Sequence, residues 1–101
     1  MTYRLTENAE RDVIHVFVEG VATFGINQAE AYQDLLEHTF KTIADNPGMA
    51  RERIEITPPV RVHPCGSHMI IYVIDDEGPL ILAVRHHRED WVNEPVSDAS
   101  G

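Results

Sequence analysis

The chain has 101 residues, 43% of them hydrophobic and 25% charged, enough for a single domain with one hydrophobic core and no need of a metal or disulfide. Its 17 acids outnumber its 8 Lys and Arg, leaving a net charge of −9. That balance argues against a protein that holds nucleic acid through its phosphates, because counterion release needs clustered basic side chains.

The lone cysteine, Cys65, rules out an intrachain disulfide. The opening MTYRLTENAERD carries charge where a signal peptide needs an apolar core, and no apolar run approaches the roughly 20 residues of a membrane span. A cytoplasmic protein without a membrane segment is expected.

In chain order, TYRL (2–5) alternates and reads as a short strand. Thr6 or Asn8 can cap a helix whose first turn holds Glu7 and Glu10. Ala9, Val13, Val16, Phe17, Val21 and Phe24 then recur at spacings of three or four and predict one helical face. The β-branched content of VIHVFVEGV favours strand by propensity, but the period decides for helix. Gly25 ends that helix, and Asn27 is the expected cap of the next. Ala29, Tyr32, Leu36, Phe40 and Ile43 form the second apolar stripe, and DNPG (45–48) stops it.

After a polar loop over 49–59, three strand-length runs follow: 60–66, 68–75 and 79–87, separated by the turn signals GS and DEG. The middle run, HMIIYVID, is apolar almost throughout and predicts a central strand buried on both faces. A helical hairpin covers one sheet face only. The second is therefore expected to be bare and to need a partner. Residues 92–101 are polar and small and read as a disordered tail, leaving a single domain over 1–91.

Few residues invite chemistry. His86 and His87 are neighbours on a strand and should point to opposite faces, which disfavours a shared metal. His63, Cys65 and His68 in HPCGSH offer three zinc-type ligands, but a closed site wants four, and Cys65 reads first as a small hydrophobe. Glu89 and Asp90 read as partners of Arg85 or Arg88, and Trp91 as a core lid or an interface anchor. No Gly-rich phosphate loop or RNA-binding aromatic motif is present. No cofactor is expected.

Three stretches, in order, resemble the RelE/ParE toxin superfamily, and within it the ParE (plasmid stabilisation) branch. YRLTENAERDV resembles that family's opening strand and helix start. FGINQAEAYQDLLEHTFKTIADNPG resembles its second helix, and VRVHPCGSHMIIYVIDDEGPLILAVRHHRED its C-terminal hairpins. Arg61, Tyr72 and the His86, Arg88, Asp90 pattern match the family's strand residues.

The resemblance implies an α+β fold, in which an N-terminal strand and a helical hairpin pack on one face of a small antiparallel β-sheet. It also implies a toxin of a type II toxin–antitoxin pair, neutralised by a ParD-like antitoxin. Such an antitoxin has a DNA-binding dimerisation domain followed by a segment that wraps the toxin. Characterised ParE proteins are associated with poisoning DNA gyrase, whereas RelE relatives cut messenger RNA on the ribosome.

On this reading the chain is not an enzyme and binds no specific DNA sequence itself. Arg61, Tyr72, Arg85, His86, Arg88, Asp90 and Trp91 are its candidate antitoxin- or target-binding residues. Two alternatives stand beside it. One is a ribosome-dependent mRNA interferase built on Arg61, Arg85, His86 and Arg88. The other is a non-toxic regulatory partner, with a metal at His63, Cys65 and His68.

Overall fold

The structure, a computed structural model, describes residues 2–88. Its elements are β1 (Arg4–Leu5), α1 (Glu7–Phe24), α2 (Ile26–Asp45), β2 (Glu52–Arg53), β3 (Val60–Cys65), β4 (His68–Asp75) and β5 (Gly78–His86). The five strands run in the order β1-β5-β4-β3-β2. All neighbours are antiparallel except β1, which pairs with β5 in parallel. The expected α+β architecture is the one observed.

Thr6 shows how α1 starts. Its hydroxyl accepts the Ala9 N–H at 3.1 Å, the N-cap bond that the sequence invites. The same hydroxyl donates to the Leu82 carbonyl, which also accepts from Asn8 Nδ2, each at 3.1 Å. Leu82 needs these donors. Ile71 pairs with Ala83 and Tyr72 with Ile81, so Leu82 is the extra residue of a bulge without a partner in β4. A carbonyl released from the ladder must be satisfied elsewhere, and the start of α1 does so.

Gly25 is the whole connection between the helices. With φ at +91° it ends α1 and begins α2, a conformation that a side chain would strain. Asn27 is therefore not the cap. It lies inside α2, because the turn takes one residue rather than the few expected. The close approach that follows puts Gly20 against Ala29, where an added Cβ would lie 3.4 Å from the alanine's.

The helix-facing core joins Leu36, Phe40 and Ile43 of α2 to Ile70 and Tyr72 of β4 and Ile81 and Val84 of β5. The α2 stripe read from the sequence thus lies in this core. Helix α1 contributes less: Ala9 is its only fully buried residue, with Val13 and Val16 half-buried.

The second sheet face corrects an expectation. Val60, Val62, Ile71, Leu82 and Ala83 form a separate buried cluster there, with Ile56 of the 54–59 loop packed against it. The 49–59 segment is not only loop, since β2 pairs with β3 and turns the chain across this side. The exposed large apolar residues lie mostly elsewhere. Ile14 (62%), Val18 (58%), Phe24 (67%) and Ile26 (51%) are all on the hairpin.

Candidate functional site

The predicted site residues separate into two groups. Arg61 and Tyr72 are cross-strand partners on the helix-facing side of the sheet. Tyr72 is fully buried and donates its hydroxyl to the Pro47 carbonyl at 2.7 Å. Arg61 donates through Nη1 to the Ala50 carbonyl at 2.6 Å. Together they hold the linker that leaves α2. Burial, the larger influence, raises the Tyr72 hydroxyl above its ordinary pKa, against the pull of Arg61.

Arg85, His86 and Arg88 lie at the other end of the sheet. His86 pairs with His68, four residues from Tyr72 along β4, which corresponds to about 13 Å of strand. The basic set of the interferase alternative therefore does not converge. Arg85 Nε lies 4.0 Å from Asp12 Oδ2, whose carboxylate also accepts the Val84 N–H at 3.0 Å. Asp90 and Trp91 lie outside the described residues.

His86 and His87 do not diverge as two strand neighbours should. Strand β5 ends at His86, and His87 turns back so that its N–H donates to the Ser67 carbonyl at 3.0 Å. The two imidazoles then stack at 4.6 Å, and His86 meets His68 edge-on at 5.2 Å. His86 Nδ1 accepts the Arg88 N–H at 3.1 Å.

Tyr32 organises this end. Its hydroxyl contacts the Cys65 carbonyl at 3.0 Å, the Ser67 N–H at 3.0 Å and His68 Nδ1 at 2.6 Å. A hydroxyl has one proton. When it is given to Cys65, the oxygen accepts from Ser67 and from a protonated Nδ1 of His68, which sets that ring's tautomer. Gly66, at φ +56°, makes room, because a Cβ there would sit 2.7 Å from the Tyr32 oxygen.

His63, Cys65 and His68 are drawn to separate partners. His63 Nδ1 contacts the Pro64 carbonyl, the buried Cys65 thiol lies 3.3 Å from the Thr39 hydroxyl, and His68 meets Tyr32. Burial pushes the Cys65 thiol pKa up, in keeping with a small core hydrophobe.

Between this histidine end and the overhanging hairpin tip lies a cleft of about 440 Å³. Its walls are Val16, Phe24 and Tyr32, with His68 and His86 as floor and Glu19 at the rim. Of these, the sequence reading singled out His86 as a candidate binding residue and His68 as a possible metal ligand. Glu19, Thr23 and Gln28 look like ordinary solvent-facing helix positions until the one-residue Gly25 turn swings them over the sheet end. Val16, Glu19 and Thr23 do share one side of α1, which is the only signal the sequence offered.

Residues 3–91 match the family model of the ParE toxin of the type II toxin–antitoxin system parDE. The chain belongs to the ParE toxin family. It is 37% identical over 68 residues to Toxin ParE1 of Mycobacterium tuberculosis (strain H37Rv), covering 66% of this chain and 69% of that one. It is 30% identical over 70 residues to Toxin ParE1 of Caulobacter vibrioides, covering 69% and 73%.

A solved structure of the chromosomal ParDE system from P. aeruginosa shares the fold. Its TM-score is 0.74 at 16% identity, over 85% of this chain and 95% of that one. By its family match over residues 3–91, this chain is a toxin of a type II toxin–antitoxin system. Among its described residues no helix is long and apolar enough to cross a membrane.

Proposed function

We propose that this ParE chain inhibits growth in the cytoplasm by binding DNA gyrase without covalent chemistry of its own, and that a ParD-like antitoxin neutralises it by direct contact. The family match over residues 3–91 carries the reading. The exposed apolar residues on α1 and the hairpin tip support a protein partner, since a lone small domain rarely leaves such a surface uncovered. The separation of Arg61 from Arg85, His86 and Arg88 supports binding over phosphoryl chemistry, because a nuclease needs its basic groups around one phosphate.

Expression of the chain alone should arrest growth, and co-expression with the adjacent reading frame should restore it. Equal growth in both cases would count against a toxin. Purified protein should alter gyrase supercoiling or stabilise cleaved DNA, and unchanged gyrase would remove that target. Codon-linked cuts in RNA sequenced during induction would instead establish an interferase.

A further inference from the structure

The histidine-floored cleft beneath the hairpin tip is not explained by the fold. We propose that it is the anchoring pocket for a basic side chain of the neutralising partner, an Arg or Lys on a segment whose apolar residues cover Phe24 and Ile26. The inference rests on the antitoxin reading above and specifies where and through what chemistry that partner binds.

Charge is the first argument. The hairpin, residues 7–45, carries eight acids against Arg11 and Lys41, and neither base lines the cleft. Glu19 stands exposed at the rim, with an i,i+4 contact at 3.2 Å to the equally exposed His15 on its own helix. An incoming guanidinium or ammonium would meet that carboxylate.

The lining is the second argument. Phe24 and Tyr32 present ring surfaces, on which a cation stacks favourably, and Val16 and Ala29 suit its aliphatic stem. On the floor, His86 Nδ1 accepts the Arg88 N–H, and His68 Nδ1 lies 2.6 Å from the Tyr32 hydroxyl, so both Nδ1 atoms are engaged within the domain.

The third argument removes other occupants. A second copy of this chain would bring the same acidic hairpin and a net charge of −9. The chain's own residues 89–101 contain four acids and no Lys or Arg, so they offer no cation. A separate basic and apolar segment is the complement left. The cleft is large enough for one long side chain, and its apolar rim continues onto Phe24 (67% exposed) and Ile26 (51%). An anchor seated in a pocket beside apolar neighbours is the usual form of an interface hot spot.

The test measures the affinity of the purified chain for the purified product of the adjacent reading frame. Glu19→Lys reverses the rim charge, and Thr23→Trp fills the cleft from an exposed helix position. Ile54→Ser removes an exposed apolar group that does not line the cleft. Circular dichroism confirms that each variant folds, and Glu19→Gln provides a milder version of the first change.

Glu19→Lys and Thr23→Trp should each weaken binding about tenfold or more, with Ile54→Ser within about threefold of wild type. Less than a tenfold loss in either cleft variant, or a tenfold loss at Ile54→Ser, overturns the anchoring pocket while leaving the antitoxin reading intact. A wild-type dimer that Thr23→Trp dissociates would assign the cleft to a second copy and also overturn it. No binding by the wild-type chain would remove the antitoxin reading itself.

Discussion

Residues 7–45, the helical hairpin, carry eight acids and two bases, whereas residues 46–88, the sheet and its loops, carry five of each. The two regions also differ in burial. Strands β4 and β5 hold Ile70, Ile71, Tyr72, Ile81 and Ala83 at zero exposure and close clusters on both faces of the sheet. Helix α1 buries Ala9 alone and turns Ile14 and Val18 outward. A helix that is apolar beyond its core stripe is built to meet something other than its own domain. Stability is concentrated in the sheet with α2, and the surface available for recognition in α1 and the hairpin tip.

Substitutions on either side of this division should behave differently. The largest effect is expected at Ile81, fully buried in the helix-facing core. Ile81→Ala should lower unfolding free energy by about 2–5 kcal/mol in urea titrations, by lost burial and a residual cavity. A loss below about 1 kcal/mol would mean that the sheet is not the stable half.

Thr6→Ala comes next, at about 1–2 kcal/mol by the same measurement. It removes the cap of α1 and one of the two side-chain donors to the bulged Leu82 carbonyl. Tyr72→Phe deletes the buried bond to the Pro47 carbonyl and should cost about 1 kcal/mol. It should also raise amide exchange in the 46–50 linker before the helices respond.

A smaller effect concerns the β4–β5 turn. The Glu77 N–H, and then the Arg4 guanidinium, hold the Asp75 carboxyl below its ordinary value of 3.8. A depressed folded pKa contributes stability above the unfolded value, which is lost as pH falls through the folded one. The acid limb of the stability curve should therefore flatten slightly in Asp75→Asn. An acid limb that does not change would leave this turn without a measurable electrostatic role.

Smallest of all, Ile14→Ser with Val18→Ser should change stability by no more than about 0.5 kcal/mol, because both side chains already face solvent. The same pair should impair neutralisation by the adjacent frame's product. A stability loss of several kcal/mol would show that α1 is part of the core after all.

Periodicity and capping made much of this legible. The two helices, the three long strands and the buried α2 stripe follow from apolar spacing, Thr6, Gly25 and Asn46–Pro47. Strand β2 was missed because two residues show no period. Asn27 was misread because a single glycine can serve both helix ends. Of the candidate binding residues, Arg61 and Tyr72 proved to hold the linker, a role no local pattern reveals, since it depends on carbonyls eleven and twenty-five residues away.

The residues themselves determined the element types, the acidic hairpin and the family pattern, because these are written in local spacing and composition. Only the tertiary structure decided that the second sheet face closes on itself, that His86 stacks on His87, and that Glu19 overhangs the sheet end to form a cleft. Each of those outcomes depends on a turn angle, a bulge or a strand end. A change of one residue there redirects every side chain beyond it, and composition does not record that change.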